Sequence, residues 1–237
     1  MASVALTDFD SLTFDCYGTL IDWERGILAA AHEALDPALA RASAHVDDER
    51  LLELYARFEA EAEAGPYRTY RHVLASALAG IAAELGVEAT PAGIERFSES
   101  VGDWPAFPDS AAALARLAGR YRLGVITNCD TDLFARSNER LGAHFDWVIT
   151  AQQLGSYKPN PRNFELALEQ IGGRRERHLH VAQSLFHDHV PAQALGIRSA
   201  WIDRRHGRTG SSASLPATAN PDFTFPDMAS FAEAAIG

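Results

Sequence analysis

SLTFDCYGTL, residues 11–20, sets a short apolar run directly against an acid and a turn. SLTF has strand character and leads straight into Asp15, and Gly18 follows where the chain must bend. A buried strand that ends on a carboxylate offers it at the sheet edge where open α/β folds place their ligands. Asp is equally common as a helix cap, so this position alone reads either way. The rest of the chain decides it. LGVIT (123–127), DWVIT (146–150), HLHVA (178–182) and SAWID (199–203) are further apolar runs, and DFTF (222–225) reads as a late edge strand. Between them PDSAAALARLAGR, TDLFARSNERLG, RNFELALEQIGG and VPAQALG carry apolar residues at helical spacing, several closing on Gly. Such alternation builds a parallel sheet covered by helices on both faces.

The stretch from 23 to 102 breaks the alternation. It contains no strand pattern, and WERGILAAAHEAL, DDERLLELYARFEAEAEAG, YRHVLASALAGIAAELG and TPAGIERFSESVG read as helices, the last with Thr90 as N-cap and Pro91 in the first turn. A chain of 237 residues suits a core with a smaller inserted module. The expected organisation is a Rossmann-like α/β core from residues 1–22 and 103–237, with an all-helical cap from 23–102. An insertion directly after the first strand hangs over the ligand edge of the sheet. HGRTGSSASLPATANP (206–221) reads as a surface loop.

The balance of 32 acidic against 21 basic residues gives a formal net charge of −11, which disfavours nucleic acid and anionic membrane as partners. The N-terminus has no basic region leading into an apolar stretch, and nowhere do about 18 apolar residues run together, so a cytoplasmic protein is expected. Cys16 and Cys129 are the only cysteines and read as reduced, part-buried thiols rather than a zinc site.

Three other strand ends carry polar side chains. ITNCD places the Thr127 hydroxyl and the Asn128 amide at the same edge as Asp15, although Thr and Asn also end strands for turn reasons. GSYKPNPRNF (155–164) holds Lys158 in a loop stiffened by Pro159 and Pro161, so that its ammonium can be aimed at Asp15. HVAQSLFHDHVPA (180–192) sends Asp188 beyond a buried strand. Each is weak evidence singly; four polar segments at four strand ends are not.

In this order FDCYGTL, ITN, SYKPNPRNF and QSLFHD resemble the motifs of the haloacid dehalogenase superfamily, over nearly the whole chain. The resemblance implies Asp15 as nucleophile, Thr127 and Asn128 as binders in the second motif, Lys158 as the cation of the third and Asp188 as the acid of the fourth. Magnesium phosphatases of this superfamily carry a second Asp two residues after the nucleophile, to protonate the leaving alcohol. Here that position is Tyr17, and the first acid of the fourth motif is replaced by Gln183. A halide leaves without a proton whereas an alkoxide needs one, and a neutral amide is a poor Mg²⁺ ligand. Both departures point away from a magnesium phosphatase, and FDCYGTLID is similar to the L-2-haloacid dehalogenases, which have Tyr at this position, implying chemistry without metal or other cofactor.

The implied reaction is attack by Asp15 on the halogen-bearing carbon of a small 2-haloacid, followed by hydrolysis of the ester, with Tyr17 forming part of the pocket wall. The dehalogenases hold water through a Ser and an Asn where this chain has Gln183 and Leu185, and they grip substrate through a cap arginine. Arg57, Arg68 and Arg71 lie in that region, and Arg57 is the choice because LYARFE loosely resembles the segment concerned. Alternatives are the same chemistry on a strained cyclic amine of the azetidine-2-carboxylate type, with His187 or His189 involved; a small-metabolite phosphatase; or a relative without turnover. A homodimer is expected by resemblance only.

Overall fold

A computed structural model describes residues 4–172, 174–205, 213 and 215–237. Six strands, β1 (Ser11–Phe14), β2 (Arg122–Thr127), β3 (Trp147–Thr150), β4 (His178–Ala182), β5 (Arg198–Ile202) and β6 (Phe223–Phe225), form one sheet in the order 3-2-1-4-5-6. Every pairing is parallel. The expected runs therefore all become strands, offset by no more than one residue at either end. β1 and β4 are buried along their whole length, which is why they read as continuous apolar runs rather than as an alternation. In this order the chain reverses direction across the sheet between β1 and β4, the switch point where such sheets open a crevice beyond their carboxyl ends.

Four helices occupy the stretch between β1 and β2: α1 (Trp23–Ala42), α2 (Asp48–Glu63), α3 (Tyr70–Glu84) and α4 (Pro91–Glu99), the last continued by a 3-10 turn, Ser100–Asp103. The fold is an α/β core with an inserted all-helical layer, as the sequence implies. α1 runs seven residues past the stretch read as helical, from Leu35 to Ala42, and carries Pro37 within it. Tertiary burial of Leu35, Ala38 and Leu39 outweighs the lost backbone donor. α2 is capped by Asp47 and α4 by Thr90, whose side chain accepts from the Gly93 amide.

The remaining helices are α5 (Ser110–Leu117), α6 (Thr131–Leu141), the single turn α7 (Ala151–Leu154), α8 (Pro161–Ile171), α9 (Val190–Ala194) and α10 (Met228–Ile236). One continuous apolar core joins the sheet to the inserted helices, with Phe14, Leu20, Ile27, Tyr55, Leu74 and Trp104 in it. A second, smaller cluster around Ile126, Ile149 and Phe164 lies under α8. Of the segment read as a surface loop, residues 215–221 carry neither helix nor strand, and 206–212 and 214 lie outside the described residues. Among the described residues no helix is long and apolar enough to cross a membrane.

Candidate active site

Asp15 is the first residue beyond β1, its amide bonded to the Val181 carbonyl of β4. The chain then turns through Gly18 at φ +96°, where a Cβ would stand 3.0 Å from the Trp23 indole nitrogen. That turn brings Thr19 back to donate to Asp15 Oδ2 at 2.7 Å. Lys158, in the loop before α8, donates to Asp15 Oδ1 at 2.8 Å, to Asp188 Oδ1 at 2.7 Å and to the Ile126 carbonyl at 3.0 Å. All three ammonium protons are thereby used. Asp188 sits on a single helical turn, Leu185–His189, after β4. Asp15, Lys158 and Asp188, drawn from three separate strand ends, thus form one buried carboxylate–ammonium–carboxylate trio.

The electrostatics assign different parts to the two acids. Burial pushes the Asp15 carboxyl up, opposed by the Lys158 ammonium and the Thr19 hydroxyl and reinforced by Asp188. Burial likewise works against charge on Asp188, but the Lys158 ammonium and the His180 hydrogen bond outweigh it and hold that carboxyl well below its usual range. Lys158 loses hydration by burial, yet the two carboxylates keep it firmly protonated. Asp188 is held as the charged partner of Lys158, and Asp15 keeps a desolvated carboxyl whose ionisation burial opposes and Lys158 favours.

Behind Asp188 runs a hydrogen-bonded chain that the sequence reading missed. His180 Nε2 lies 2.9 Å from Asp188 Oδ1, Thr13 Oγ1 is 2.9 Å from His180 Nδ1 and 2.9 Å from His178 Nε2, and Ser11 Oγ is 3.0 Å from His178 Nδ1. An ionised Asp188 only accepts, so His180 donates from Nε2 and accepts at Nδ1 from Thr13. Thr13 then accepts from His178, and Ser11 donates to His178. One acceptor fixes both tautomers and both hydroxyls. Burial lowers His178 to about 3, which keeps the ring neutral. The signal was present in HLHVA: His178 and His180 are two residues apart on one face of β4, in register with Ser11 and Thr13 of β1.

The other expected residues divide. The ring of Tyr17 lines the cavity at Asp15, while its hydroxyl lies 3.0 Å from Ser137 Oγ and accepts from the Cys129 thiol. Asn128 also lines that cavity, but its amide group is committed to Lys158: Nδ2 donates to the Lys158 carbonyl at 2.9 Å and Oδ1 accepts from the Lys158 amide at 2.7 Å. It holds the lysine loop in place and is not free for substrate. Thr127 is buried at the end of β2, and its hydroxyl has no hydrogen-bond partner among the described residues.

Arg57 corrects the sequence expectation. It pairs with Glu84 at 3.0 Å on the outer surface, stacked on Phe58, because it lies two residues from the inward-facing Tyr55 and so points away from the sheet. Arg71 is bound by Glu99 and Asp132, and Arg68 lies against His72. None of the three lines the cavity. Its helical wall comes instead from Glu59, Glu63, Tyr70 and Trp23. Glu59 Oε1 accepts from Tyr55 and Tyr70 hydroxyls at 2.8 and 2.7 Å, and burial raises its carboxyl to about 7 against those two bonds. Glu59 and Glu63 stand at i+4 and i+8 from Tyr55, a spacing that marks them as one face of α2. Of the two histidines considered, His187 lines the cavity and His189 is turned to Ser199 and the Ala182 carbonyl.

The cavity enclosed over Asp15 measures about 30 Å³ and adjoins a wider cleft of about 530 Å³ between α2 and the Lys158 loop. The inner space holds water but not an organic acid.

Haloacetate dehalogenase H-2 of Moraxella sp. (strain B) is 26% identical over 225 residues, covering 92% of this chain and 94% of its own. Glyceraldehyde 3-phosphate phosphatase of Methanothermobacter thermautotrophicus is 36% identical, but over only 100 residues, 41% of this chain and 44% of its own. An L-2-haloacid dehalogenase from Xanthobacter autotrophicus, solved with chloropropionic acid covalently bound, superposes with a TM-score of 0.79 at 21% identity, covering 97% of this chain and 99% of that one. The model of the haloacid dehalogenase-like hydrolases matches residues 9–183, and the chain belongs to that family of hydrolases.

Proposed function

We propose that this hydrolase cleaves a carbon–halogen bond of a small organic substrate through an ester of Asp15 and without a metal ion. The observation that carries the reading is the setting of Asp15: a desolvated carboxylate, 2.8 Å from an ammonium, with the aromatic Tyr17 rather than an acid two residues on. The nearly full-length likeness to a haloacetate dehalogenase supports it, whereas the likeness to the glyceraldehyde 3-phosphate phosphatase covers less than half of either chain.

In the first step an Asp15 oxygen forms a bond to carbon and the halide departs with the bonding pair. Lys158 keeps the carboxylate ionised until then. In the second, water adds to the Asp15 carboxyl carbon, the alcohol leaves and the carboxylate returns. Asp188 Oδ2 is buried without a hydrogen-bond partner among the described residues and lines the same cavity, which supports it as the acceptor that orients that water, whose proton passes to solvent. The donor set does not fit Mg²⁺. Tyr17 replaces one acid and Gln183 another, Asp188 Oδ1 is taken by Lys158 and His180, and no group of three or more His, Cys, Asp or Glu among the described residues is arranged for a metal. Residues 23–102 act as the cap, and substrate admission requires α2 to move.

Single turnover in heavy-oxygen water with enzyme in excess tests the ester. Unlabelled product alcohol with label in the Asp15 peptide is the expected result. Label wholly in the first-turnover product would mean direct attack by water, with Asp15 only a base.

A further inference from the structure

The charge of the cavity does not suit a simple haloacid. Four carboxyl groups line it, Asp15, Asp188, Glu59 and Glu63, against one ammonium, Lys158, whose three protons are already spent on Asp15, Asp188 and a carbonyl. Among the described residues no arginine lines either the cavity or the cleft leading to it. The four arginines on α2, α3 and the loop between them, Arg50, Arg57, Arg68 and Arg71, are held elsewhere by their own partners. A carboxylate brought in as substrate would meet an acidic wall and find no free cation among the described residues. The rest of the wall is aromatic: Tyr17, Trp23 and Tyr70. Burial raises the Glu59 and Glu63 carboxyls, and a substituted ammonium placed between them would draw both back to the charged form while the π faces add to its stabilisation. Independently, Asp188 is fully buried and its Oδ2 has no hydrogen-bond donor, so the cavity calls for a donor that the described residues do not supply.

We infer that α2 has made this cavity an ammonium subsite, Glu59 and Glu63 holding a protonated amine on the substrate while Asp15 attacks a carbon a few bonds away. This rests on the reading of Asp15 as nucleophile only for where the reacting carbon lies; the preference for positive charge stands on the lining alone. Glu59 is the fixed element, its Oε1 anchored by two phenol hydroxyls. Glu63, one turn further along α2, lines both the cavity and the outer cleft and would meet the amine on its way in. The substrate class is a small aminoalkyl halide, or another short amine whose reacting carbon carries a group that leaves when Asp15 attacks. The balance is unchanged: the Asp15 oxygen bonds to carbon, the leaving group takes the bonding pair, and the amine keeps its proton throughout.

Binding and turnover are read separately. The whole protein is titrated by calorimetry at pH 8 with n-propylammonium chloride and with sodium propionate, and chloride release is followed from 3-chloropropylammonium and 3-chloropropionate. Propylammonium is expected to bind at least tenfold more tightly than propionate, and Glu63→Gln and Glu59→Gln each to weaken it about tenfold without loss of the folded melt. Chloride is expected from the ammonium substrate in preference to the acid. Equal or tighter binding of propionate, or propylammonium affinity unaltered in both variants, overturns the inference. Preferential propylammonium binding with no chloride released from any substrate would leave the subsite standing and remove the dehalogenating role of Asp15.

Discussion

Asp15 and Lys158 answer different questions about one bond. In Asp15→Asn the amide keeps the hydrogen-bonding geometry but is a poor nucleophile, so halide release is expected to fall by about 10³-fold or more with an unaltered melt. Retention within about tenfold of wild type would remove the nucleophile assignment. Lys158→Met should behave otherwise. Without the ammonium, two buried carboxylates 2.8 and 2.7 Å from the same nitrogen face each other unpaired, and the variant is expected to lose about 3 to 5 kcal/mol of stability. Its residual activity should need a higher pH, because Asp15 loses the charge that holds its carboxyl down against burial. A melt and a pH–rate profile separate the two variants. Asp15, Lys158 and Asp188 were legible because each ends or follows an apolar run, and the sheet makes such positions converge. Arg57 was misread because a single arginine carries no phase: only its offset from Tyr55 shows that it points outward.

At the level of elements, the inserted helices are tied to the sheet by a residue that the sequence reading passed over. Asp130, fully buried after β2, accepts from the Tyr70 amide at 2.9 Å and the Arg71 amide at 3.2 Å, and so caps the start of α3 from outside that helix. Thr69, the sequence neighbour at the N-cap position, makes no side-chain cap bond. The cap is therefore tertiary, and no local pattern around residue 70 could reveal it. Asp130→Ala is expected to cost about 2 kcal/mol and, because α3 carries Tyr70 and so one anchor of Glu59, to raise KM more than it lowers kcat. The histidine chain was hidden for a related reason: β4 shows two histidines on one face, but only the β1–β4 register supplies Ser11 and Thr13 as their partners. Thr13→Val strands both rings and should cost about 1 to 3 kcal/mol, read as a lowered melting temperature.

Over the whole molecule the buried groups pull stability in opposite directions with pH. Burial lowers His178 to about 3 and His187 and His189 to about 4, each from an ordinary 6.5. Their unfolded forms bind protons that the folded ones refuse, so this part of the stability is complete above pH 6.5 and is lost as pH falls toward 4. Glu59 has the opposite sign. Burial raises it from 4.5 to about 7, the folded form holds the extra proton, and stability is lost as pH rises between those values. From pH 6.5 to 8 the three histidines add nothing further, and Glu59 shares the remaining slope with two other groups. Glu63 is raised by burial and by Glu59, and His32 is raised by Asp36 and Asp48 against the opposing effect of its part-burial. Glu59→Gln removes one of these while its amide oxygen still accepts from Tyr55 and Tyr70. The variant's melting temperature is therefore expected to match or trail wild type at pH 5 and to exceed it by several degrees at pH 8. That corresponds to on the order of 2 to 3 kcal/mol at about 2 to 4 °C each for a chain of this size. Thermal melts of the two proteins across that range give the comparison. A constant offset at both ends would show that Glu59 is ionised throughout, and would leave the protein's alkaline behaviour to Glu63 and His32.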